Sequence, residues 1–169
     1  MQIMNKIESF REPYDFLSNF YNCRIIYKGI TYWNAEAAYQ AQKCPKRAEE
    51  FCNLLGCEAT NLGRRVEIRP DWEDIKLDIM EDILTEKFCQ NSDLMEKLLA
   101  TEELYIEEGN WWGDTFWWVC TNKKMDHVGK NHLGKIHMEV RAKERFIRYL
   151  ADREYEACSK NFGDTENEL

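Results

Sequence analysis

The chain has 169 residues, 44% hydrophobic and 13% aromatic, with only 8 Gly and 3 Pro and a net charge of −8. That length points to one domain, able to bury about 70% of the surface that its unfolded chain exposes. The composition excludes disordered, collagen-like and low-complexity chains. An acidic whole also excludes a general duplex-binding protein, whose affinity comes from neutralising many phosphates.

The charge is uneven. Residues 1–122 carry a net −9, residues 123–153 a net +5 and residues 154–169 a net −4. The basic segment reads either as a solvated helix face or as a contact for one phosphorylated ligand or a short stretch of nucleic acid. Seven cysteines with no Cys-x-x-Cys pair, set beside apolar residues as at Phe51-Cys52 and Phe88-Cys89, read as small buried hydrophobes in a reducing compartment. No uncharged stretch approaches the ~20 residues that span a bilayer, and Met1–Lys6 lacks the apolar core of a signal peptide. The expectation is a cytoplasmic protein with no membrane contact.

In chain order, Arg24–Tyr27 and Ile30–Trp33 flank Lys28-Gly29, the pattern of a β-hairpin on a two-residue turn. Asn34 is an N-cap type ahead of a run of helix formers, Ala35 to Lys43. Pro45 suits the first turn of a second helix ending before Gly56. Asp71 is placed to cap a longer helix with Ile75, Ile79, Met80, Ile83 and Leu84 on one side. Ser92 starts another, with Leu94, Met95, Leu98 and Leu99 as its apolar face. Leu104–Glu107 and Thr115–Cys120 read as short strands. Leu133, Ile136, Val140, Ile147 and Leu150 predict a long amphipathic helix from near Gly129. The fold class is α+β: a mostly helical domain over 1–155 with a few short strands, followed by a polar, flexible tail over 156–169.

Several chemistries are unsupported. Neither common glycine-rich nucleotide cradle occurs, Ser18 has no local histidine partner, and no G-x-S-x-G elbow exists. His127, His132 and His137 are five apart and share no helix face, so no metal site and no cofactor are expected. Glu36 stands one turn into a helix of Ala, Tyr and Gln. It is either a favourable charge on the helix dipole or a partly desolvated general acid or base. Trp111–Trp118 places four indoles and a Phe around Asp114 with no nearby cation. This run is either an aromatic core strand or a set of flat faces for a base beside one carboxylate. Asn61–Arg65 and Val128–Lys135 put Gly and basic residues near expected helix starts, where free N–H groups suit phosphate.

Together these segments resemble the NADAR superfamily, also called YbiA-like. The matching motifs are Phe16-Leu17-Ser18-Asn19-Phe20-Tyr21; Trp33-x-x-Glu36-x-x-Tyr39-Gln40-Ala41-Gln42-Lys43; and Gly63-Arg64 with Arg69-x-Asp71-Trp72. Asn110-x-Trp112-Gly113-Asp114-Thr115-Phe116-Trp117 and Gly129-x-Asn131-x-Leu133-Gly134-Lys135 complete the resemblance, which covers roughly residues 10–146. It implies a metal-independent N-glycosidase that removes ADP-ribose from guanine bases or acts on a related ribosyl nucleotide. The alternatives are an N-glycosidase of early riboflavin-pathway intermediates, or a non-catalytic binder of ADP-ribose or NAD. Carried over, the active-site positions are Glu36, Trp72, Trp112 and Asp114. The substrate-binding positions are Asn19, Phe20, Tyr39, Lys43, Gly63, Arg64, Trp117, Asn131 and Gly134. The implied partners are the ribosyl substrate and, transiently, ADP-ribosylated nucleic acid. Two departures stand out: Trp118 occupies the place of an expected Gly, and 122–126 is a charged stretch.

Overall fold

The computed structural model describes residues 6–122, 124 and 127–163, with the side chains of 158–163 excepted. The first five residues, most of the charged 122–126 stretch and the last six residues of the tail lie outside the described residues.

The hairpin forms as its sequence predicts. Strands β2 (Ile25–Tyr27) and β3 (Ile30–Tyr32) pair antiparallel, and Lys28 and Gly29 both take positive φ, at 49° and 80°. That is the turn whose twist matches the flanking strands. Asn34 then caps α1 (Ala35–Ala41), its side-chain oxygen accepting from the Ala37 N–H at 2.7 Å. Every residue of α1 except Glu36 is buried. The alanines let this helix sit closely against α2 (Gly56–Gly63), α3 (Trp72–Gln90) and the 3-10 turns of Pro45–Phe51. The segment after Pro45 thus winds more tightly than the expected α-helix.

Helix α2 has no counterpart among the predicted elements. Its start is fixed by Glu58, whose carboxylate accepts from the Leu55 N–H at 2.9 Å. Gly63-Arg64 therefore closes a helix and does not open one, so it offers no helix N-terminus to a phosphate. Asp71 precedes α3 as expected but does not cap it, because its carboxylate is taken by Arg69 in a two-pronged pair at 2.6 and 2.8 Å. Helix α4 (Ser92–Leu99) buries Leu94, Met95 and Leu98.

Two parallel pairs tie distant segments together. Strand β1 (Lys6–Ile7) pairs with β4 (Tyr105–Ile106), and β5 (Gly109–Asn110) with β6 (Val119–Cys120). Only Val119–Cys120 of the expected 115–120 strand is extended pairing; the rest is an irregular aromatic loop.

Helix α5 runs His132–Gly163, so residues expected in the tail continue the helix. Its burial ends early. Leu133, Ile136 and Val140 are in the core, whereas Ile147 and Leu150, expected on the same face, are exposed. Four basic side chains of this helix are spent within the fold. Arg141 is buried, donating to Thr101 and to the Leu104 carbonyl, while Lys143, Arg145 and Arg148 pair with Glu81, Glu103 and Glu96. This half of the basic segment is an internal counter-charge to α3, α4 and the turn that follows α4. Among the described residues no helix is long and apolar enough to cross a membrane.

Lys87 on α3 is fully buried, and its ammonium donates to the Phe16 and Ser18 carbonyls at 2.6 and 2.9 Å. Burial pulls it down to about 8. Lys87→Met keeps the length and removes the donor, leaving two carbonyls short at about 1–3 kcal/mol each. The variant is expected to unfold several degrees lower by scanning calorimetry, since about 1 kcal/mol moves the midpoint by ~2–4 °C in a domain of this size.

Candidate active site

A cavity of about 460 Å³ opens between α1, α2, the Phe16–Tyr21 segment and the aromatic loop. Its size suits a small-molecule site. Its polar wall is made by Asn19, Glu36, Gln40, Lys43, Thr60, Arg64 and Asp114, and its aromatic wall by Phe20, Tyr39, Trp112, Trp117 and Trp118. A second chamber of about 210 Å³ adjoins it. The two share Asn19, Phe20, Glu36, Trp112, Trp118 and Leu133, and the smaller adds Ser18 and Glu108.

Glu36 lies at the junction of the two chambers. Its backbone N–H donates to the Asn19 carbonyl at 3.0 Å, which fixes the first turn of α1 to the Phe16–Tyr21 segment. Its Oε1 accepts from Gln40 Nε2 at 2.8 Å and lies 2.9 Å from the Thr60 hydroxyl, which is equally near the Gly56 carbonyl. A hydroxyl has one proton, so Thr60 serves one of these acceptors at a time. Burial raises the Glu36 carboxyl above its ordinary value, opposed by Gln40, Thr60, Lys43 and Asn19. Burial likewise pulls the Lys43 ammonium below its usual range, against the attraction of Glu36. Arg64 is exposed on the cavity rim and makes no ion pair among the described residues.

Asp114 lines the cavity but also builds its own loop. Its Oδ1 accepts from the Phe116 and Trp117 N–H groups, both at 2.9 Å. Buried Asn110 completes the turn. Its Oδ1 takes the Gly113 and Asp114 N–H groups, and its Nδ2 donates to the Asp114 and Val119 carbonyls. The loop holds Trp112 edge-on to Trp118 at 5.1 Å and Trp117 edge-on to Tyr39 at 5.6 Å.

Nine of the sequence-predicted positions therefore meet at one cavity: Asn19, Phe20, Glu36, Tyr39, Lys43, Arg64, Trp112, Asp114 and Trp117. Four stand behind its wall. Trp72 is buried against Tyr39 at 5.0 Å with the Lys43 ammonium above its ring, so it braces both. Gly63 lies under the Gln40 amide, and a Cβ there would fall 1.9 Å from Gln40 Oε1. Asn131 is buried and donates to the Ile106 carbonyl, and Gly134 packs so closely that a Cβ would meet the same oxygen at 2.1 Å. Both join α5 to β4.

The start of α5 does not present its N–H groups to the cavity as expected. Those of His132 and Leu133 donate to the Phe116 and Trp117 carbonyls, and that of Lys130 to Thr115. Sequence reasoning missed Gln40 and Thr60, which hold Glu36, and Glu108, which reads as one more acid in an acidic strand. Among the described residues no three His, Cys, Asp or Glu side chains group to hold a metal ion.

Residues 7–145 match the family model of the NADAR domain. The chain is 37% identical to an N-glycosidase of Nostoc punctiforme over 144 residues, covering 79% of this chain and 88% of that protein. It is 36% identical over 152 residues to a riboflavin biosynthesis protein of Vibrio vulnificus, covering 82% of this chain but only 39% of that longer relative. The NMR structure of Escherichia coli YbiA superposes with a TM-score of 0.70 at 29% identity, over 88% of this chain and 92% of that one.

Two outcomes follow from the geometry. Because the fold raises the Glu36 carboxyl, its ionised form is disfavoured in the native state, and stability falls as pH rises from below 4.5 through the raised value. Glu36→Gln removes that penalty. It is expected to unfold at a higher temperature than wild type at neutral pH, with the gain shrinking towards zero below pH 4.5. Gly63→Ala displaces the Gln40 amide from Glu36. Losing a hydrogen bond to a charged group, about 1.5–3 kcal/mol, is expected to lower turnover roughly tenfold or more.

Proposed function

The chain belongs to the NADAR domain family, and from that premise we propose that it is a metal-independent N-glycosidase of the cytoplasm, hydrolysing the bond between ribose and a nitrogen base. The observation that carries this reading is Glu36: a half-buried carboxylate that lines both a chamber with Lys43 and Arg64 in its wall and a chamber with no cation among the described residues.

Cleaving an N-ribosidic bond builds positive charge on C1′ and the ring oxygen. A carboxylate in a poorly solvated wall stabilises that charge more strongly than one in water. Glu36 supplies it, and with its raised proton affinity takes the proton of the attacking water. Gln40 and Thr60 hold Oε1, which fixes where the charge sits. Asp114, one oxygen spent on its loop, orients the water or the ribose with the other. Tyr39, Trp112 and Trp117 supply flat and edge surfaces to sugar and base, and Trp72 braces Tyr39 from behind. Lys43 and Arg64 meet the phosphate.

Within this activity the substrate we favour is ADP-ribose joined to guanine, because the larger chamber joins cations to aromatic rings as a nucleotide requires. Contact with nucleic acid then falls at the cavity mouth, where Phe20 and Trp112 are exposed with Trp111 against Trp112, and not along the paired cations of α5. A second reading, a glycosidase of early riboflavin intermediates, is favoured by the name of the Vibrio relative.

The purified protein is offered ADP-ribosyl-guanine in an oligonucleotide and, separately, a ribosylamino-pyrimidine phosphate, with released base measured by chromatography. Faster release from the first supports guanine, and from the second the riboflavin reading. Glu36→Gln is expected to lower kcat by at least roughly 100-fold. Tight ADP-ribose binding by calorimetry with no base released from either substrate would instead make the protein a binder.

A further inference from the structure

The smaller chamber is lined differently from the larger. Among the described residues no cation lines it; its polar groups are Ser18, Asn19, Glu36, Glu108 and the Trp118 indole. Glu108 directly precedes β5, and Val119 N–H donates to its carbonyl, so its backbone is held. Its neighbour Glu107 is ion-paired with Lys6 at 2.8 Å, with His127 at 3.6 Å. The Glu108 carboxyl has no hydrogen bond or ion pair among the described residues, and burial alone lifts it to about 7. Glu36, facing the same space, has Gln40, Thr60 and Asn19 as donors and Lys43 nearby. Two carboxyls thus face one cavity, Glu36 held by several donors and Glu108 with no hydrogen-bond partner among the described residues, so the two are set up for different roles.

A second observation comes from the indole of Trp118. It lines both chambers, and its Nε1–H is buried with no partner among the described residues. The Oδ1 of Asn19, which lines the same chamber, is in the same condition. Unpaired buried donors and acceptors on residues that line a cavity are groups that a polar ligand can complete.

Resting on the glycosidase reading, we propose that the smaller chamber receives the leaving base, with Glu108 as the general acid that protonates it and Trp118 as the donor that holds it. Glu36 lies between this chamber and the one containing Lys43 and Arg64, so the scissile bond crosses Glu36 with phosphate on one side and base on the other. In the reaction the C1′–N bond breaks and its electron pair goes to the base nitrogen, which takes the proton of Glu108. Water forms the new C1′–O bond and gives its proton to Glu36. Glu108 ends as carboxylate and Glu36 as acid, and exchange with solvent restores both. The Trp118 N–H meets a ring nitrogen or carbonyl oxygen of the base.

The test compares wild type, Glu108→Gln and Trp118→Phe on ADP-ribosyl-guanosine and on a 4-nitrophenyl riboside 5′-phosphate, whose leaving group departs without a proton. Glu108→Gln is expected to lose roughly 100-fold in kcat on the guanosine substrate. It should stay within threefold on the nitrophenyl substrate and lack the decline in kcat/KM above neutral pH that is expected of wild type on the guanosine substrate. Trp118→Phe, which keeps the ring and loses the N–H, is expected to raise KM on the guanosine substrate several-fold with kcat little changed. The proposal is overturned if Glu108→Gln turns over the guanosine substrate within threefold of wild type, or loses equally on both substrates. Wild type inactive on both substrates, yet binding ADP-ribose, sinks the glycosidase reading itself.

Discussion

The site depends on a buried ammonium group that has no ion pair among the described residues. A lone charge in a protein interior is costly unless its hydrogen bonds are met. Lys87 meets them with the Phe16 and Ser18 carbonyls, so the segment carrying Asn19 and Phe20 has to curl around the lysine. The next link is the Asn19 carbonyl, which receives the Glu36 N–H and sets the first turn of α1. One cation on α3 thereby positions a carboxylate on α1 through a loop between them. Phe88 and His137 close over the same region, and His137, fully buried and near Lys87, is pushed down to about 3 and stays neutral.

The electrostatics of the cavity follow from which charges are paired outside it. The acids of α3, α4 and the turn after α4 are answered by α5: Glu81 by Lys143, Glu96 by Arg148, Glu103 by Arg145. With those charges neutralised at the surface, the charged groups left on the cavity walls are Glu36, Glu108 and Asp114 with Lys43 and Arg64. The net −8 of the chain is thus a poor guide to the site, whose field is set by a handful of groups with few partners.

Features that rest on neighbours in sequence were legible in it. The Lys28-Gly29 turn, the Asn34 cap and the start of α3 after Pro70-Asp71 are local, and so is the crowding of indoles at 111–118. Helix α2 was hidden because it is short and has glycine at both ends. The parallel pairing of Lys6–Ile7 with Tyr105–Ile106 was hidden because it spans about a hundred residues. Glu108 could not be told from Glu107 by type or spacing; only the third dimension turns one to Lys6 and leaves the other in a chamber. Motif resemblance gathered most of the cavity wall, yet it gave Trp72, Gly63, Asn131 and Gly134 the same standing as groups that face the ligand. Here they are the struts behind those groups.

The carbonyls of Phe116 and Trp117 occupy the first N–H groups of α5. Loop and helix are consequently one mechanical unit: the aromatic wall cannot swing outward without freeing the His132 and Leu133 amides to solvent. Proton-deuterium exchange at those two amides would then count the openings of the cavity directly, and a ligand that seals the wall would slow both together. The long helix is thus the anchor post of the aromatic wall, and its first turn carries the hydrogen bonds by which any loosening of that wall would be read.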